Sequence, residues 1–160
     1  MTDQVQLKID NESVTIRRAA AGEIIDLRYR VLRPGWPRDA AVFDGDDLPT
    51  NYHFGAFADS PPHANVCCVT FHLNSWKDRA AWQLRGMATD PAWTGRGLGR
   101  NAVQLGITTI IAASPVHFFW CNARLAAVPF YEKLGWQIAS ERFEIANVGP
   151  HYQMTFAPRP

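Results

Sequence analysis

What this chain has little of narrows it first. Across its 160 residues no apolar run approaches the roughly 20 residues that a membrane-spanning helix requires, so no membrane role is expected. Neither sign of charge dominates. Sixteen Lys and Arg stand against fifteen Asp and Glu, a net charge of +1, which provides no global field for holding nucleic acid. Cysteine is sparse and odd in number. Cys67 and Cys68 are adjacent, Cys121 lies in an apolar run, and no Cys-x-x-Cys occurs. That pattern excludes a disulfide framework and makes Cys121 a buried thiol. The segment Met1–Ser13 is polar and carries acids, so no signal peptide is expected and the compartment implied is a reducing cytoplasm. No repeat, low-complexity tract or domain boundary is visible. With 47% hydrophobic and 19% charged residues, positions 1–160 read as one globular domain with its own core.

What is present is an alternation of strand and helix patterns. Val14–Ala19 alternates and is β-branched, a strand, with Val5–Ile9 a further strand or a loose tail. Ile24, Leu27 and Val31 recur at helical spacing over 20–31, which places Arg28 and Arg30 on or near a solvated flank. Arg33-Pro34-Gly35-Trp36-Pro37 ends that helix. The long segment that follows, to Thr50, carries Trp36, Phe43, Asp44, Asp46 and Asp47 and reads as a lid over a substrate. Strands are expected over 52–57, 65–73 and 82–89, the second buried on both faces and the third with a bulge or close approach at Gly86. A helix follows over about 98–113, then a doubly buried strand over 116–121, and a short helix over 126–134 stopped by Gly135. Two strands, 136–145 and 151–156, complete a mixed α/β sheet with helices on both faces.

One stretch organises the rest: Trp93-Thr94-Gly95-Arg96-Gly97-Leu98-Gly99-Arg100-Asn101. A glycine-rich turn opening a helix directs unpaired N–H groups and the positive end of the helix dipole at one point, which suits phosphate. Arg96 and Arg100 add full charges. A P-loop needs Lys-Ser/Thr after its last glycine, and Arg100-Asn101 stands there instead. Gly97-x-Gly99-x-x-Ala102 matches a relaxed dinucleotide fingerprint. The acidic residue expected about 20 positions on is missing, since no Asp or Glu lies between Pro91 and Tyr131.

Leu84-Arg85-Gly86-Met87-Ala88-Thr89-Asp90-Pro91 precedes this turn, and Phe130-Tyr131-Glu132-Lys133-Leu134-Gly135-Trp136 follows it. Together the three segments resemble the GNAT superfamily of N-acetyltransferases. Its acyl-CoA signature reads Gln/Arg-x-x-Gly-x-Gly/Ala, and the last string is similar to the family's Tyr-Glu-Lys-Leu-Gly-Phe. Thr94 occupies the Gln/Arg position, a departure that removes a side-chain contact but no backbone donor. The motif resemblance covers about Trp82 to Trp136, and the order of elements extends it. It implies a GNAT-like fold, with a mostly antiparallel central sheet of six to seven strands, and acetyl-CoA as cosubstrate with no metal.

By the same resemblance, the backbone of Met87, Ala88 and Thr89 pairs with the pantetheine arm, and an N–H near Met87 polarises the thioester carbonyl. The side chain of Met87 itself reads as core. Thr94, Gly95, Arg96, Gly97, Leu98, Gly99 and Arg100 hold the pyrophosphate, and Tyr131 acts as general acid toward the CoA sulfur. The family's pantetheine-binding asparagine, seven residues before that tyrosine, is replaced by Arg124, with Asn122 two residues earlier. Either is a candidate contact. No carboxylate occupies the strand 82–89, so the general base falls to Glu144, His151 or His53, or to a water chain. For the acceptor, Arg28, Arg30 and Arg33 favour an anion, whereas Asp46 and Asp47 favour a cationic amine. The aromatic lid suggests an enclosed pocket for a small amine, with Arg28, Arg33 and His53 as substrate contacts. Two other readings stay open: a catalytically silent acyl-CoA-binding module, and a dinucleotide-binding domain. A homodimer through a sheet edge is compatible with the sequence.

Overall fold

A computed structural model describes residues 3–159. Nine strands among these residues form one sheet: β1 (Gln4–Ile9), β2 (Glu12–Ala19), β3 (Tyr52–Ala58), β4 (Asn65–Leu73), β5 (Trp82–Thr89), β6 (Phe119–Arg124), β7 (Gln137–Ile138), β8 (Phe143–Ile145) and β9 (Gly149–Phe156). The order is β1-β2-β3-β4-β5-β6-β9-β7, with β8 also on β9. Every pairing is antiparallel except β5–β6, which is parallel. The three α-helices are α1 (Ala21–Leu32), α2 (Leu98–Ala113) and α3 (Val128–Lys133).

The period-2 pattern of β4 determines how the helices divide. Neighbouring residues point to opposite faces of a strand. Cys67 accordingly joins the large core built with Leu98, Val103, Ile107 and Ile110 of α2 and Tyr131 of α3. Cys68 joins a second core with Ile24 and Leu27 of α1. All three cysteines are buried and free. Burial pushes the thiols up, to about 11 for Cys67 and about 12 for Cys68, and higher still for Cys121. None is reactive at neutral pH.

Of the two readings of the N-terminal segment, strand or loose tail, the structure has the strand, in register with β2. Other expectations about strands change. The span 136–145 is two short strands instead of one. Ala139 N–H donates to Gln153 O at 2.8 Å, but Gln153 N–H donates to the Ser140 hydroxyl at 2.8 Å. A side chain has taken a ladder position, and regular pairing stops there until Phe143. The sheet therefore has more strands than the six to seven expected. The doubly buried strand also begins later, at Phe119, and runs on to Arg124.

A larger correction concerns α1. Arg28 lies four residues after Ile24 and so falls on the apolar stripe, not on the solvated flank. It is fully buried. Its guanidinium donates to Asp46 at 2.6 Å, to Ala41 O at 2.8 Å and to Thr70 Oγ1 at 2.8 Å. Because Thr70 Oγ1 accepts from Arg28, its own proton goes to His53 Nδ1 at 2.7 Å, and His53 Nε2–H donates to Asp46 O at 2.8 Å. This closed ring fixes the neutral tautomer of His53, and burial holds its pKa below the usual histidine range. Asp46 also accepts from Phe43 N–H at 2.7 Å. The segment after α1 is thus fastened to the sheet by a buried ion pair, and Asp46 is a fastener instead of an attractor for an amine. Arg30 does remain on the exposed flank, near Asp26 and Asp90.

Candidate active site

Where β5 and β6 run parallel they pair only at Trp82–Phe119, Gln83–Trp120 and Leu84–Cys121. Beyond these positions β5 continues to Thr89 and β6 to Arg124 without pairing to each other. On its other side β5 also breaks register with β4, between Cys68 and Thr70. Gly86 sits at this point with φ +62°, and a Cβ there would lie 2.7 Å from Arg28 Nε and 3.0 Å from Phe43. Only glycine suits both the conformation and the space. The β5–β6 gap leaves strand backbone free to pair with an extended ligand in the manner of an added strand.

A cavity of about 630 Å³ fills the gap. Its walls include Arg33 from the end of α1, Phe43 and Asp44 from the fastened loop, and Arg85–Thr89 from β5. Asn122, Ala123 and Arg124 of β6, Phe130 and Tyr131 of α3, and His151 of β9 complete it. A second cavity, of about 590 Å³, is walled by Trp93 and Thr94–Arg100. Met87, Thr89 and Phe130 line both, so the two cavities adjoin.

The second cavity is the glycine turn. Gly95 and Gly97 both have left-handed φ, +76° and +81°, and Gly97 is the N-cap of α2. Asn101 N–H is the first to close on Gly97 O, at 3.1 Å, so the N–H groups of Leu98, Gly99 and Arg100 precede the helical ladder. They face a cavity with no acid among its lining residues. The turn has the donors, the dipole and the concavity that a phosphate group requires. Arg96 leans away, pairing with Asp10 at 2.6 Å. That pair is exposed, and such pairs contribute only about 0–1 kcal/mol, so Arg96 is free to re-aim.

In the first cavity two groups have chemistry. Tyr131 is 5% exposed and its O–H donates to Met87 Sδ at 3.6 Å. Burial, with the Cys121 thiol beside it, raises its pKa well above the ordinary value. The phenol is therefore a proton holder whose hydroxyl already addresses a sulfur atom. His151 Nδ1 lies 2.7 Å from Gly149 O. A carbonyl can only accept, so Nδ1 carries the proton and Nε2 the lone pair. Among the described residues Nε2 has no hydrogen-bond partner.

Most of the residues singled out on sequence meet in this cleft. Met87, Ala88, Thr89, Asn122, Arg124, Tyr131, Arg33 and His151 line the first cavity, and Thr94 to Arg100 the second. Three do not. Arg28 and His53, expected at the substrate, are buried in the ring around Asp46, where both His53 ring nitrogens and the two terminal nitrogens of Arg28 are bonded, and do not line the cleft. Glu144, expected among the catalytic groups, points to solvent with a side chain 65% exposed beside Arg142. Arg85 and Val148 line the cavity and were not anticipated. The one available signal for Arg85 was a charge inside an otherwise apolar strand, next to the glycine that bends it.

A mixed sheet split between two parallel strands, with a phosphate-type turn at the mouth of the split, defines an acyltransferase of the GNAT kind. The family model described as acetyltransferase (GNAT) domain matches residues 73–157, and the chain belongs to that family. It is 28% identical over 142 residues to the N-acetyltransferase YitI of Bacillus subtilis strain 168, covering 87% of this chain and 93% of that protein. Solved structures share the fold. Escherichia coli ElaA has a TM-score of 0.71 at 19% identity, over 89% of this chain and 98% of its own. An aminoglycoside 6'-N-acetyltransferase complexed with coenzyme A has a TM-score of 0.69 at 13% identity, over 91% and 98%. The mixed α/β architecture expected from the sequence is the one these proteins have.

Proposed function

We propose that this protein transfers an acetyl group from acetyl-CoA to a primary amine, by direct attack with both substrates bound in the cleft. The observation that carries this is that the two cavities adjoin at Met87, Thr89 and Phe130, with the Tyr131 hydroxyl bonded to Met87 Sδ. The glycine turn holds the pyrophosphate, with Arg100 and a re-aimed Arg96 as added charge. The free backbone of Met87–Thr89 pairs with the pantetheine arm, assisted by Asn122. That the aminoglycoside 6'-N-acetyltransferase complexed with coenzyme A has the same fold supports this assignment.

The chemistry follows from the two polar groups. An amine is protonated near neutrality and must lose a proton before it attacks. His151 Nε2 accepts that proton, directly or through a water. The nitrogen then forms its bond to the acyl carbon as the carbon–sulfur bond breaks, with a backbone N–H of the Met87 region stabilising charge on the carbonyl oxygen. Burial keeps the Tyr131 phenol protonated, so its O–H is in place to hydrogen-bond the sulfur and pass it a proton as the carbon–sulfur bond breaks. The second proton lost by the attacking nitrogen restores the phenol, so the products are the amide and the free thiol. Met87 Sδ occupies the acceptor role in the free protein.

Titration calorimetry with CoA and with NAD tests the binding half. Saturable CoA binding and none for NAD is expected, and the reverse would replace the transferase with a dinucleotide-binding domain. CoA binding without thiol release for any amine would leave a silent acyl-CoA-binding module.

A further inference from the structure

The cavity in front of β5 and β6 is unbalanced in charge. Arg33, Arg85 and Arg124 line it against one carboxylate, Asp44. Arg85 is already partly neutralised, since it donates to Asp44 O and lies 4.0 Å from Asp46, although its buried Nε has no partner. Arg33 and Arg124 are not neutralised. Neither forms an ion pair among the described residues. Arg33 closes α1, rests 5.1 Å from the Trp36 ring and donates only to Leu32 O, at 2.9 Å. Arg33 and Arg124 line the same cavity, and burial lowers the pKa of Arg33, with the charges of Arg124 and Arg28 lowering it further. Two like charges held toward one partly desolvated space are relieved by an anion.

The CoA pyrophosphate is not that anion. Its turn walls the other cavity, and neither Arg33 nor Arg124 lines that one. The anion must arrive with the acceptor. The β6–β9 ladder gives its spacing. Arg124 is directly paired with His151, so their side chains rise from one face at adjacent positions. An acid group at Arg124 and an amine at His151 Nε2 are then only a few bonds apart.

We propose that the acceptor is an amine carrying an anionic group, a carboxylate or a phosphate, docked between Arg33 and Arg124 with the amine at His151. The proposal rests on the transferase function given above. The short spacing selects α- or β-amino acids and short aminoalkyl phosphates over long polyamines and neutral amines.

The test is thiol release from acetyl-CoA with matched acceptors: amino acids against their carboxamides, and aminoalkyl phosphates against the corresponding amino alcohols. The expected result is kcat/KM at least about tenfold higher for the anionic member of at least one pair. Which pair responds distinguishes carboxylate from phosphate. R124Q and R33Q should each collapse the anionic-to-neutral ratio toward one, mainly through KM. These residues lie on different elements, so a folding defect in one variant leaves the other as the test. Equal or better turnover of the neutral members overturns the proposal, as does release with no anionic amine. In the latter case release with a neutral amine leaves the transferase reading standing, CoA binding without release for any amine leaves the silent module, and lost CoA binding removes both readings.

Discussion

Removing Asp46 is expected to be among the most damaging single changes in the chain. In Asp46→Ala the Arg28 guanidinium keeps its neutral acceptors, Ala41 O and Thr70 Oγ1, but loses the carboxylate at 2.6 Å. It cannot turn to water, because the residue is fully buried. An uncompensated buried charge of this kind costs about 3–5 kcal/mol. The loss of the Phe43 N–H bond adds about 1 kcal/mol. With a urea dependence of about 2 kcal/mol per molar for a domain of this size, the unfolding midpoint should fall by about 2–3 M. Urea titration followed by far-UV circular dichroism reads this directly. Replacing both partners with apolar residues, as in Arg28→Met with Asp46→Leu, should recover much of the loss, since no lone charge remains. A cost under about 1 kcal/mol for Asp46→Ala, the value of an exposed pair, would refute the reasoning.

Other consequences can be checked with less. Tyr131→Phe should lower kcat by about 10²-fold, within the range for losing a general acid, and leave CoA affinity nearly unchanged; an unaltered kcat would remove the proton from Tyr131. Gly97→Val places a β-branched residue at φ +81° on the phosphate turn. The left-handed conformation alone costs about 1–2 kcal/mol, so CoA should bind at least about tenfold more weakly by calorimetry. Stability should fall as pH drops below about 6.5, because burial lowers the pKa of both His53 and His72 in the folded chain. The unfolded chain then binds the protons first, and each histidine contributes a slope of at most about 1.4 kcal/mol per pH unit down to its folded pKa. Thr70→Val, which breaks the ring at His53, should lower stability near pH 7; stability flat from pH 7 to 5 in the parent protein would contradict the neutral-histidine assignment.

The legible parts of this chain were those whose chemistry is local. The glycine turn, the short helix with Tyr131 and the doubly buried β4 each follow from a short string of residues, because turn conformation, helix capping and strand alternation are set by near neighbours. The hidden parts depended on partners distant in sequence. Arg28 on its own looks like a surface arginine. Only Asp46, eighteen residues on, and Thr70, forty-two on, make it a core residue. His53 was misread for the same reason. The break at Ser140 depends on a hydroxyl reaching Gln153, which alternation does not encode. Arg124 and His151 come together only through the β6–β9 ladder, so no pattern along the chain places them side by side.

The most direct measurement is a single-turnover reaction with acetyl-CoA and a mixture of amines, including the anionic ones, followed by mass spectrometry. The account predicts one acetylated amine formed in step with free CoA, and a sharply slower rate in Tyr131→Phe. Bound acetyl-CoA that persists intact whatever amine is added would contradict it.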